Sequence, residues 1–124
     1  MISGLIKIKN NMKIKNNIKI LDCTFRDGGY YNNWDFSDSL VKRYVKSIND
    51  SNVDIVEVGF RFLTKNNFGK FSITNENLIK KLKFKKNLSL AIMINGADFL
   101  HEKNHIKLIK KHFIKKKFSR ISII

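Results

Sequence analysis

Ile18-Lys19-Ile20-Leu21-Asp22-Cys23-Thr24-Phe25-Arg26-Asp27-Gly28-Gly29 is the stretch that orders the rest of the chain. Ile18 to Phe25 is a short apolar-rich run, and it ends in Arg-Asp-Gly-Gly, so it reads as a strand followed by a turn. The period then changes. Phe36, Leu40, Val41, Tyr44, Val45 and Ile48 fall on one helical face, with Asp35 as the expected N-cap and Asp38 in the first turn, where a carboxylate meets the positive end of the helix.

The same alternation continues outward. Val53 to Val58 is β-branched and stops at Gly59, a second strand. After a loop through Asn66, Asn67 and Gly69, Thr74 is placed to cap a helix carrying Leu78, Ile79 and Leu82. Leu88 to Ile94 is nearly continuous in apolar residues, as a strand covered on both faces should be. Asn104 to Lys116 is a third helix, and Ser119 to Ile124 a fourth strand. The order βαβαβαβ predicts an α/β fold with a parallel sheet and right-handed crossovers. A doubly wound sheet would be complete at this length, but no strand is followed by G-x-G-x-x-G. An eight-stranded (β/α) barrel takes about 250 residues, so 124 residues correspond to roughly its first three and a half βα units. Residues 1–17, alternating Ile with Lys and Asn, read as a basic arm, with Met12 an alternative start, and 18–124 as the domain.

Composition narrows the function. Lys plus Arg number 25 against ten Asp plus Glu, a formal charge of +15, while 43% hydrophobic residues argue for a packed core over a disordered polyelectrolyte. Such charge raises a nucleic-acid or anionic-surface binding protein as the alternative reading. The excess is lysine, however; Arg26, Arg43, Arg61 and Arg120 are the only arginines, and base and phosphate recognition favour the guanidinium fork. The lysines travel with Asn and Ile, and solvated helix faces account for the clusters at Lys80–Lys86 and Lys103–Lys117. With Cys23 as the one cysteine no internal disulfide can form, and no apolar run reaches the roughly 18 residues of a membrane span, so a cytoplasmic protein is expected.

Arg-Asp-Gly by itself is a common turn. At the end of a parallel strand it gains chemical meaning, because barrels gather their catalytic groups there. A carboxylate at that rim can hold a hard divalent cation, and a neighbouring guanidinium can balance an enolate oxygen.

The D-x-T-x-R-D-G signature, Asp22 to Gly28, resembles the N-terminal motif of the HMG-CoA-lyase-like, or pyruvate carboxyltransferase, family of metal-dependent barrels. The longer string through Tyr30, Tyr31, Asn33, Trp34 and Phe36 is closer still to bacterial proteins named aldolase catalytic domain-containing, and Ile55 to Phe60 is similar to the family's second strand. The resemblance implies that Asp27 is a ligand for Mg²⁺ or Mn²⁺, that Arg26 stabilises the enolate of a 2-oxo acid or acyl substrate, and that Glu57 lines the same mouth. The implied reaction is reversible carbon–carbon bond cleavage or condensation, a lyase activity.

Glu57 has an equally good reading as a buried, hydrogen-bonded structural carboxylate. A Schiff-base lysine is disfavoured, since none of the 21 lysines lies in the second or third strand. Two departures from the family stand out. Tyr30 occupies the place where aldolase members carry His, which leaves the general base open. The family also completes its metal site with an H-x-H pair on a late strand, and one carboxylate does not hold Mg²⁺. The chain is therefore expected to be inactive alone unless a second polypeptide, or self-association, completes the barrel.

His101-Glu102-Lys103-Asn104-His105 spells the zinc-hydrolase pattern H-E-x-x-H, with His112 on roughly the same face. Asn104 reads as a helix N-cap, which puts His101 outside the helix and disfavours the zinc reading.

Overall fold

The computed structural model describes residues 18–63, 67–100 and 103–124. The expected basic arm, residues 1–17, lies outside them. Four parallel strands, β1 (Leu21–Asp22), β2 (Ile55–Phe60), β3 (Ser89–Met93) and β4 (Ile121–Ile123), form one sheet in the order β1-β2-β3-β4. They alternate with helices as a partial barrel does, and the sheet is not closed. The helices are the single turns α1 (Thr24–Asp27) and α2 (Gly29–Asn32), then α3 (Asp38–Asp50), α4 (Glu76–Lys81) and α5 (His105–His112).

The first strand is shorter than its apolar content suggests. Asp22 Oδ1 accepts from the Thr24 amide at 3.0 Å, and Oδ2 accepts from the Thr24 hydroxyl at 3.2 Å. The Cys23 carbonyl then receives the amides of Arg26 and Asp27. Asp-x-Thr thus ends the strand and starts a helical turn, as side chains of this type do when they compete with a sheet ladder. The turn points Phe25 into the core, 1% exposed, beside Phe36, Tyr44 and Phe71.

Two caps differ from expectation by one or two residues. Ser37, not Asp35, accepts from the Leu40 amide and starts α3. Asn75, not Thr74, accepts from Leu78 and starts α4. Thr74 is buried, and its hydroxyl bonds to the carbonyls of Val58 and Phe71. Those bonds belong to a second departure: β2 does not stop at Gly59 but passes through it. Gly59 has φ +121°, and a Cβ there would lie 2.4 Å from the Phe71 carbonyl oxygen. Only glycine lets segment 71–74 close on the strand, through Phe60 N to Phe71 O and Thr74 N to Phe60 O. α5 is also shorter than expected: a 3₁₀ turn, Lys116–Phe118, separates it from β4.

The core lies between the sheet and the helices. Val56, Val58, Leu90 and Ile92 face Val41, Val45 and Ile48 of α3 and Ile79 of α4. Alternate residues of β2 face the other way. Ile55 and Glu57, with Leu21, Ala91, Met93 and Ile123, line a cavity of about 430 Å³ on the inner face of the sheet.

Candidate functional site

Arg26 and Glu57 come from neighbouring strand units and meet. Arg26 sits in α1, directly after β1; Glu57 is the third residue of β2. Arg26 Nε lies 2.8 Å from Glu57 Oε2 and 3.3 Å from Asp27 Oδ1. The Nε–H is buried and not aligned as a hydrogen bond to either oxygen, so the contact is ionic. The Glu57 side chain is only 9% exposed, and Arg26 is the cation that offsets its desolvation. Glu57 is therefore buried and ion-paired rather than hydrogen-bonded, and it lies in the candidate site at the same time. Its other surroundings are the apolar inner-face cavity.

Cys23 completes this cluster and was not singled out by sequence reasoning. Burial raises its thiol pKa, the Arg26 guanidinium lowers it, and Glu57 raises it. The thiol of Cys23, followed by the charges of Glu57 and Asp27, raises the pKa of Arg26. The helical turn after Asp-x-Thr was the available signal: it brings positions 23 and 26 onto one face, whereas a strand through Phe25 does not.

The turn is braced from behind. Trp34 Nε1 donates to the Arg26 carbonyl at 3.0 Å. Gly29 is needed for that approach, since a Cβ on it would lie 2.0 Å from the indole. Tyr44 of α3 donates to Asp22 Oδ1 at 2.5 Å. Tyr30 lies on the rim, 64% exposed, with its ring edge-on to Trp34 and Phe60, and no bond joins its hydroxyl to Arg26 or Glu57.

Asp27 does not fit a divalent site built from these residues. Its side chain is 61% exposed and faces Arg26, and among the described residues no three His, Cys, Asp or Glu side chains cluster as a metal site. The H-E-x-x-H pattern is described only from Lys103 onward. His101 and Glu102 lie outside the described residues, and Asn104 caps α5 through the Lys107 amide. The helix begins at His105, whose ring lies against Phe99.

No family profile and no curated protein matches the chain. Among solved structures, it is similar to one described as the "N-terminal domain of a putative aldolase from Bacteroides vulgatus", at 42% identity and a TM-score of 0.58. The match covers 65% of this chain and 27% of that one, so the chain spans about a quarter of the solved relative. Fold and likeness together define a parallel α/β domain with an aldolase-like relation. No helix among the described residues is long and apolar enough to cross a membrane.

Proposed function

We propose that this chain contributes the first strands of an aldolase-type carbon–carbon lyase acting on a 2-oxo acid through an enolate. The observation that carries the proposal is the Arg26–Glu57 contact of 2.8 Å beside an inner-face cavity. In the cleavage direction a base takes the proton of a hydroxyl two carbons from the oxo group. The bond between the hydroxyl-bearing carbon and its neighbour breaks, an aldehyde leaves, and the electron pair moves onto the oxo oxygen as an enolate. Protonation at carbon then releases the oxo acid.

Arg26 faces that oxygen once substrate displaces one of its two carboxylates, and a guanidinium in a partly dry site stabilises it more than water can. In this reading Glu57 carries the proton, and Tyr30 forms the rim. A divalent Mg²⁺ or Mn²⁺ at Asp27 requires ligands from beyond the described residues, and none of these steps passes through it. Further strands, from a second polypeptide or another copy, would close the cavity. A cytoplasmic setting fits a lone thiol beside the site.

The test follows the methyl protons of pyruvate by NMR in deuterated buffer with Mn²⁺ present, together with pyruvate release from 4-hydroxy-2-oxo acids. Exchange that falls by about a hundredfold in Arg26→Ala supports the reading. Exchange that is equally fast in both proteins removes Arg26, and with it the proposal.

A further inference from the structure

A groove runs between α3 and α4 on the outside of the sheet, away from Arg26. Two adjoining cavities, of about 440 and 190 Å³, share Val41, Lys42, Lys81 and Leu82. Their floor is apolar, made by Val41, Val45, Leu78 and Leu82. Their walls are cationic. Lys42 stands exposed on the α3 side, and Lys81 and Lys83 stand exposed on the α4 side. Neither Lys81 nor Lys83 has an ion pair among the described residues. Asp38, at one end, is already held by Lys70, and that contact lowers its pKa. Lys83 has an uncommon backbone conformation, φ +51°, and its carbonyl accepts from Asn49 Nδ2 at 3.2 Å.

We propose that this groove docks an acidic amphipathic helix of a partner protein. From Asp38 to Val45 it is about 10 Å long, two turns of a helix. A helix with one apolar seam fills the floor, and acids flanking the seam on both sides meet lysines on both walls. Other occupants match one half of this pattern only. Nucleic acid pairs with the lysines and leaves the apolar floor uncovered. A bilayer surface is too flat to enter between two helices. A second copy sets the same lysine rims against each other on chains that each carry +15.

The probe is a fluorescein-labelled peptide of about four helical turns, with leucines along one seam and glutamates flanking it, titrated with the full chain by anisotropy. A scrambled peptide of the same composition is the control for simple charge attraction. Lys42→Glu/Lys81→Glu should weaken binding about tenfold or more, and Lys42→Gln/Lys81→Gln less but in the same direction. Lys107→Glu/Lys110→Glu, the same charge change on α5, should leave binding unchanged. Equal losses from the groove and α5 variants, equal binding of the scrambled peptide, or no peptide binding would overturn the proposal. So would groove-dependent self-association, or groove-dependent binding of duplex DNA or anionic vesicles, in place of peptide binding.

Discussion

Tyr44 Oη donates to Asp22 Oδ1 across 2.5 Å, so a residue in the outer helix layer holds the carboxylate that turns the chain at the end of β1. Burial, and then the Asp22 bond, raise the Tyr44 pKa, and the hydroxyl stays protonated as the donor. Tyr44→Phe removes the donor and leaves a partly buried carboxylate short of a partner. It should cost about 1–3 kcal/mol in denaturant unfolding. Any enolisation activity should fall with it, because Arg26 rides on the turn that Asp22 starts.

Cys23 reports the electrostatics of the site directly, since it is the chain's single thiol. Glu57 raises its pKa and Arg26 lowers it. Glu57→Gln should therefore speed iodoacetamide alkylation at pH 8 severalfold, and Arg26→Gln should slow it. Mass spectrometry of the time course reads both. Changes in the same direction would mean that the three side chains are not clustered.

Arg61 is 3% exposed at the end of β2 and ties four segments together. Its Nε donates to the Thr74 carbonyl at 2.6 Å, Nη1 to the His112 carbonyl at 3.2 Å, and Nη2 to Glu76 Oε1 at 3.4 Å, with the Phe113 ring beneath the guanidinium. Arg61→Met should lower stability by about 3–5 kcal/mol, because it takes the cation from Glu76, which keeps only the Ser119 hydroxyl among the bonds described, and the donors from two carbonyls. Arg61→Met/Glu76→Gln should recover part of that loss. Urea unfolding of the four-member cycle measures the coupling.

His112 makes stability depend on mild acid. Burial first, then the charges of Lys111 and Arg61, lower its pKa below the ordinary 6.5, with Asp98 opposing them. Below pH 6.5 the unfolded chain binds a proton that the folded chain does not, so ν_U exceeds ν_N and stability rises with pH through this window. Going from pH 7 downward, unfolding should become easier, and the loss should end once pH passes below the folded-state pKa. His112→Gln should flatten that part of the profile, as read by thermal unfolding at fixed ionic strength.

The order of the four strands and the three longer helices between them, and the parallel α/β class, were legible in sequence because periodicity is a local signal; the single turns α1 and α2 were not. The Asn104 cap was legible for the same reason. Boundaries at Asp22, Gly59 and Thr74 were not. In each case a side-chain or carbonyl bond from a distant or competing group overrode propensity: Asp22 with Thr24 and Tyr44, Gly59 under Phe71, and Thr74 on Val58.

The residue order alone gives the alternation of strands with the longer helices, since periodicity depends on neighbours a few positions apart. The tertiary structure alone decides that Cys23, Arg26 and Glu57 share one cluster while Tyr30 stays on the rim. Thirty-one positions separate Arg26 from Glu57, and only strand pairing of Asp22 with Val56 brings such distant charges into contact.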